Sequence, residues 1–270
     1  MDAITLGPLF IPMERLLFVV SMVLVFLVSY GLERRYQIMG AAGLWVVLLS
    51  GFAVGRIVHV LQYWSVYQAT PLEILYVWQG GFHVPSGVTM AAIMAIIWSM
   101  LKRQPGSLTL VPVLAGAIIW WGGSALLAIS EERPDAGLPD LWVSDMSGQG
   151  VNVQTVSGEP TVINLWATWC PPCRREMPTF ERAQDDWPDI QFVYANQGEN
   201  ATQVHDFVED QGLSLDTLWL DGPSLLSRQF EARGLPMTLF FDADGRLVQR
   251  HVGEVSGARL SQYLQALTEE

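Results

Sequence analysis

Four apolar stretches, Leu16–Leu32, Ile38–Gly55, Phe82–Leu101 and Leu108–Ser130, carry no charged side chain and crowd into the first half of a 270-residue chain. Each approaches or exceeds the roughly 20 residues that cross a bilayer as a helix. A helix apolar on every side belongs in lipid or at the centre of a large core. Four of them in so short a segment leave too little chain to build that core. The first half is therefore expected to be a membrane domain, residues 1–132, with about four transmembrane helices at approximately 14–32, 38–60, 82–101 and 108–130. The second takes Arg56 and His59 in with it. The first does not resemble a cleaved signal, because it follows Glu14 and Arg15 and no small-residue cleavage site comes after it.

Charge divides the chain at the same place. Residues up to Arg133 hold seven Lys/Arg and six Asp/Glu, a net of +1. From Pro134 onward there are eight Arg, no Lys and 21 Asp/Glu, a net of −13. A domain this acidic repels phosphates, so nucleic acid is not expected as a partner. Arg34 and Arg35 lie between the first two spans, and Lys102 and Arg103 between the last two. Positive loops stay on the cytoplasmic side. The N-terminus, the long loop at 62–81 and everything after residue 130 then face outward, which is periplasmic in a cell with two membranes. The expected location is the inner (cytoplasmic) membrane, multi-pass.

Glu131–Asp140 is polar and proline-bearing, with the linker set at 133–137. Beyond it, from 138 to 270, strand and helix patterns alternate. Thr161–Trp166, Gln191–Ala195, Leu218–Leu220, Met237–Asp242 and Leu247–His251 read as strands. Pro171–Trp187, Ala201–Gln211, Ser224–Ala232 and Ser256–Thr268 read as helices. Alternation at this size implies an α/β sheet covered on both faces.

The only two cysteines, Cys170 and Cys173, sit in "WATWCPPCRREMP", just after a buried strand and at the first turn of a helix. Three readings compete. A disulfide staple closing so small a loop removes little entropy from the unfolded chain. A metal clip normally needs four ligands; there is no further cysteine, and His205 and His251 stand apart in sequence, leaving chiefly Cu(I) held by two thiolates. A redox centre uses the position itself. Unpaired N–H groups and the partial positive charge at a helix start stabilise a thiolate. Arg174 and Arg175 add to that field. Cys170 is then the nucleophile and Cys173, about one turn further in, resolves the mixed disulfide. The two prolines between them cannot donate N–H groups and stiffen the turn.

With "RGLPMTLFFDADGRLV" at Arg233–Val248, this motif resembles the thioredoxin superfamily, and within it the membrane-tethered TlpA/ResA-like thiol–disulfide oxidoreductases. The resemblance covers about half of the chain. It implies a thioredoxin-like fold for 138–270, with Pro236 as a cis-proline lying against the CxxC pair and Leu235 beside the incoming disulfide. The family's usual Thr after that proline is Met237 here. Glu176, three residues after Cys173, takes the place of the family's active-site glutamate and would exchange protons with Cys173.

The segment from "GRIVHVLQYW" (Gly55–Trp64) to "PLEILYVWQGG" (Pro71–Gly81) resembles prolipoprotein diacylglyceryl transferase. Gly55, Arg56, Tyr63, Pro71, Glu73, Trp78, Gly80 and Gly81 fit its pattern. The family continues into a His-Gly-Gly segment where this chain has Pro85, Ser86 and Gly87, with His83 two residues early. The later arginine-bearing segments are absent. A truncated relative serving as an anchor is the expectation. Arg56, His59 and Glu73 form a candidate membrane site, because ionisable groups at that depth are costly unless paired.

The expected whole is a four-helix transmembrane domain joined to an α/β thioredoxin-like domain, acting as an extracytoplasmic protein-disulfide oxidoreductase. No cofactor is expected. Reduction of disulfide-bearing client proteins, apocytochromes or copper-site proteins among them, is the direction the resemblance implies. A thiol oxidase, a Cu(I)-binding module and a lipid-modifying transferase with a redox appendage are the alternatives. The four spans contain no cysteine, so a separate transmembrane electron-donor protein is expected beside membrane lipid as a partner.

Overall fold

In the computed structural model the chain divides into two compact units, Met1–Glu132 and Arg133–Glu270. The structure describes residues 3–6, 9–36, 41–69, 71–77, 80–103, 106–130, 137–232 and 234–268. Most of the 133–137 linker lies outside them.

The first unit opens with a hairpin of β1 (Ala3–Leu6) and β2 (Leu9–Pro12). Five helices follow: α1 (Met13–Tyr36), α2 (Ala41–Gln62), α3 (Trp64–Ala69), α4 (Val84–Lys102) and α5 (Gly106–Ser130). Neither the hairpin nor the short α3 was expected, since neither is long enough to show a period in the sequence. Three helical segments, Leu16–Tyr36, Ala42–Gln62 and Val84–Lys102, are long and apolar enough to cross a membrane. Within its described residues α5 contributes a shorter apolar segment, Leu110–Leu126, so three spans rather than the expected four meet that measure. Large apolar side chains such as Leu27, Leu49, Ile57, Leu61, Met100 and Ile118 face outward, as lipid-facing helices require. α2 and α4 meet through glycine. A Cβ on Gly51 would stand 2.8 Å from the Gly87 carbonyl oxygen, so only the bare backbone permits this approach.

The second unit contains β3 (Trp142–Asp145), β4 (Gly150–Asn152), β5 (Thr161–Trp166), α6 (Pro171–Asp186), β6 (Gln191–Gln197), α7 (Ala201–Gln211), β7 (Thr217–Asp221), α8 (Leu225–Gln229), β8 (Met237–Phe241), β9 (Leu247–Val252) and α9 (Gly257–Thr268). The strands form one sheet in the order β4-β3-β7-β6-β5-β8-β9. β5, β6 and β7 are parallel, joined by helices, while β8, β9 and β3 run antiparallel to their neighbours. The parallel centre explains why β5 is buried along its whole length.

Alternation along β5 sorts its side chains between two cores. Val162 and Trp166 join Cys170, Cys173, Met177 and Phe180 on one face, with Leu260 and Leu264 of α9. Ile163 and Leu165 pack on the other face with Val153, Leu226, Phe230 and Leu239. Asn164 shares the period of Val162 and Trp166, so β5 sends one polar side chain into the α6 face.

Candidate active site

The site is built where β5 ends and α6 begins. The backbone leaves Trp166, turns through Ala167–Trp169 and enters the helix at Cys170, the N-cap residue, with φ −91° and ψ 106°. Pro171 and Pro172 occupy the first helical positions, where a missing N–H costs nothing. Cys170 and Cys173 are joined by a disulfide. The Cys173 N–H donates to Cys170 Sγ at 3.3 Å. That geometry aims one of the helix's unpaired donors at the sulfur, the arrangement that favours a thiolate there once the bond is reduced. Cys170 is 3% exposed and Cys173 fully buried, while the neighbouring Trp169 is 67% exposed.

Glu176, one turn beyond Cys173, points inward and is 2% exposed. Asn164 Nδ2 donates to its Oε1 at 2.9 Å, and the Val255 N–H donates to its Oε2 at 3.0 Å. Burial in this apolar setting pushes the carboxyl up to about 8 from an ordinary 4.5, against the two hydrogen bonds that favour the charged form. Glu254 raises it slightly and Arg175 lowers it slightly. Asn164 Nδ2 also donates to Thr238 Oγ1 at 3.1 Å, tying β5 to β8 at the level of the carboxylate.

The peptide bond between Leu235 and Pro236 is cis. The register that pairs Leu165 with Met237 sets Pro236 level with Trp166, at the sheet end from which the Cys170 turn departs. Leu235 packs against the core that holds both cysteines. Met237 is buried. Cys170, Cys173, Glu176 and Pro236 thus gather around one end of β5.

The arginines are more engaged than solvated helix residues would be. Arg175 is paired with Glu254 through Nε and Nη2, and the Arg174 guanidinium lies 5.4 Å over the Phe207 ring, which itself packs against Trp166. His205 is exposed beside Asp206 and Glu209, and His251 lies on β9 against the Tyr263 hydroxyl and the Glu254 carbonyl.

Three contributors escaped the sequence reading. Asn164 and Thr238 are two. The third is Glu199, in the turn after β6. Its Oε2 accepts from the Thr168 N–H and from Asn196 Nδ2, both at 2.7 Å, and its Oε1 accepts from Thr168 Oγ1 at 2.5 Å. Thr168 lies two residues before Cys170, so this buried carboxylate clamps the turn that presents the cysteine. A lone Asn inside the apolar run "TVINLW" was a readable signal for the first. Nothing in sequence marks Glu199, which stands 31 positions from Thr168.

In the membrane unit Arg56 and His59 meet at Gly81. Arg56 Nε and Nη2 donate to the Ile74 carbonyl at 3.2 and 3.0 Å, and Nη1 donates to the Gly80 and Gly81 carbonyls, both at 2.8 Å. Its guanidinium also faces the rings of Tyr67 and Phe82. His59 is buried against Tyr63 and Tyr67. A Cβ on Gly81 would lie 2.6 Å from Arg56 Nη1 and 2.8 Å from His59 Nε2. His83 caps α4 by accepting from the Ser86 N–H. Pro71–Leu75 forms a 3-10 turn, but the side chain of Glu73 lies outside the described residues.

Known families match the two units separately. The Redoxin family model matches residues 133–267. The prolipoprotein diacylglyceryl transferase model matches residues 2–122. The "Thiol-disulfide oxidoreductase ResA" of Bacillus cereus is 26% identical over 132 residues, covering 48% of this chain and 76% of that protein. The "Sporulation thiol-disulfide oxidoreductase A" of Bacillus subtilis is 24% identical over 161 residues, covering 58% and 94%. The "Thioredoxin-like protein YneN" of Bacillus subtilis is 30% identical over 132 residues, covering 47% and 75%.

Proposed function

Because the chain belongs to the redoxin family through its C-terminal half, we propose that it is a membrane-anchored, extracytoplasmic thiol–disulfide oxidoreductase that reduces disulfides in client proteins. The observation that carries this reading is the Cys170–Cys173 pair at the start of α6, with one helix-end N–H aimed at Cys170 Sγ and the buried Glu176 carboxyl one turn further along.

The reaction starts from the dithiol. The Cys170 thiolate attacks one sulfur of a client disulfide, forming a mixed disulfide and releasing the other client sulfur as a thiolate that takes up a proton. Cys173, its proton passed to the Glu176 carboxylate, attacks Cys170 Sγ and displaces the second client sulfur as a thiolate, which takes up a proton as Glu176 gives up its own. The client has gained two electrons and two protons, and the chain holds the Cys170–Cys173 disulfide. Pro236 and Leu235 flank the site on the β8 side and would shape how the client's backbone approaches. The relatives named for thiol–disulfide oxidoreduction support the reaction class, and the resemblance to the TlpA/ResA-like group supports the reductive direction and points to apocytochromes and copper-site proteins as client classes.

The membrane unit, residues 1–132, serves in this reading as a four-span anchor with α5 as the fourth span, the linker at 133–137 leading out to the redox domain at 138–270. The positive loops Arg34–Arg35 and Lys102–Arg103 support cytoplasmic placement of those turns and an outward-facing redox domain. With both cysteines of the chain at positions 170 and 173, a separate transmembrane donor must return the electrons. The anchor role is favoured over lipid transfer because Arg56 donates to the Ile74, Gly80 and Gly81 carbonyls, holding those residues to α2.

Alkylation trapping of the cysteine pair in cells, with and without a candidate donor, tests the proposal. A reductase is mostly reduced with the donor and oxidised without it. A pair that stays oxidised in both would sink the reductive reading.

A further inference from the structure

The hydrogen bonds around Glu176 are complete for only one of its two protonation states. A carboxylate accepts, and the two groups presented to it, Asn164 Nδ2 and the Val255 N–H, both donate. Once protonated, the same side chain carries an O–H that needs an acceptor, and neither contact supplies one. The acceptor is nevertheless present. Asn164 Oδ1 is buried with no hydrogen-bond partner among the described residues, and it sits on the same amide as the donating Nδ2. Half a turn about the last side-chain bond exchanges the two atoms.

We infer that the Asn164 amide is a two-position element that follows the proton on Glu176, presenting Nδ2 to the carboxylate and Oδ1 to the carboxylic acid. Asn164 is therefore a positioning residue for Glu176. In the turned position Oδ1 accepts from the Glu176 O–H, and it accepts from Thr238 Oγ1 as well, whose hydroxyl reverses from acceptor to donor. Each position leaves one amide atom of Asn164 unpaired, Oδ1 in the first and Nδ2 in the second, so turning costs no net hydrogen bond. A buried carboxyl whose neighbour can turn keeps the same number of hydrogen bonds in both states, as suits a group that must take and return a proton in each cycle. Burial that pushes Glu176 up to about 8 keeps both states within reach of neutral pH.

The groups facing this carboxyl are few. Glu254 and Arg175 act on it from the loop after β9 and from its own helix, and they are paired with each other. His251 reaches the Glu254 carbonyl from β9. β5 and β8 present only the neutral Asn164 and Thr238. Cys173 enters the titration when the disulfide is reduced, so the oxidised protein isolates Glu176.

The inference deepens the proton-handling role proposed for Glu176, but its test uses no substrate and stands apart from that role. The chain has four asparagines, Asn152, Asn164, Asn196 and Asn200, few enough for side-chain isotope labelling to be read band by band. Full-length, oxidised protein in detergent, labelled with carbon-13 at the asparagine side-chain carbonyl, is titrated from pH 5 to pH 10 by difference infrared spectroscopy. The carbonyl band of a protonated carboxylic acid is expected to disappear with a midpoint of about 8. One labelled asparagine band is expected to shift with the same midpoint. Glu176→Gln removes both changes, and Asn164→Leu removes the amide change. An acid band that titrates while every asparagine band stays still overturns the inference, and so does an amide shift that survives in Glu176→Gln. The unsubstituted protein and Glu176→Gln give the decisive comparison even where Asn164→Leu does not fold.

Discussion

Replacing Glu176 with Gln should change how stability depends on pH, and the structure fixes both sign and size. The folded carboxyl sits at about 8, against 4.5 for an ordinary Glu. Between those values the folded chain keeps a proton that the unfolded chain has released, so stability is fully present below pH 4.5 and is lost as pH rises through 8. At about 1.4 kcal/mol per pH unit the full span is worth about 5 kcal/mol, and about 4 kcal/mol of it falls between pH 5 and pH 9. Gln reproduces the neutral acid. Its Oε1 accepts from the Val255 N–H, and its Nε2 donates to Asn164 Oδ1 in the turned position. The variant should therefore match the parent near pH 5 and exceed it at pH 9. At roughly 3 °C per kcal/mol for a chain of this size, the gap in Tm reaches about 10 °C. The measurement is thermal unfolding of the full-length, oxidised protein in detergent, with parent and variant side by side at each pH. Other titrating groups are common to both and cancel in the difference. Parallel Tm profiles for the two proteins would refute the reasoning, because they would mean that Glu176 is already ionised in the folded state at pH 5.

Three further outcomes are expected. Cys173→Ser should accumulate a mixed disulfide between Cys170 and clients, visible on non-reducing gels, whereas Cys170→Ser should accumulate none; trapping by Cys170→Ser alone would reverse the assigned roles, and equal trapping by both would refute them. Glu199→Ala strands the Thr168 N–H and Asn196 Nδ2, which should lower stability by about 2–4 kcal/mol in urea unfolding and speed alkylation of reduced Cys170 as its turn loosens. Gly51→Ala drives a methyl against the Gly87 carbonyl oxygen at 2.8 Å, so thermal stability of the membrane unit in detergent should fall by about 1–3 kcal/mol, with disulfide reductase activity of the folded protein unchanged.

The redox domain was legible wherever one period dominated. "TVINLW" predicts a strand over Thr161–Trp166, and β5 has those bounds. Asn200 caps α7 and Gly212 ends it in the left-handed region, so Ala201–Gln211 was bounded by local chemistry at both ends. β3 and β4 escaped because they are strands of four and three residues with mixed polarity, too short for a two-residue period to stand out. The site was legible along the chain and opaque across it. Cys170, Cys173 and Glu176 lie on one helix at spacings that carry chemical meaning. Asn164, Thr238 and Glu199 reach the same place from three other segments, and only the sheet register and the turn after β6 bring them there.

That division bears on how the chain works. In the proposed mechanism the helix supplies the sulfurs and the carboxyl, all within seven residues from Cys170 to Glu176. That carboxyl's partners come from outside the helix. β5 carries an amide to the carboxyl, β8 carries the hydroxyl that the amide also touches, and the Val255 N–H closes the third side. Removing any one leaves a buried donor or acceptor without its partner, at a cost of about 1–3 kcal/mol, so the proton site is held by the same packing that holds the fold. Electrons are provided for differently in the proposed mechanism. The sequence carries two cysteines, both in one motif, so the proposed function assigns proton handling to the packing around Glu176 and electron supply to a partner.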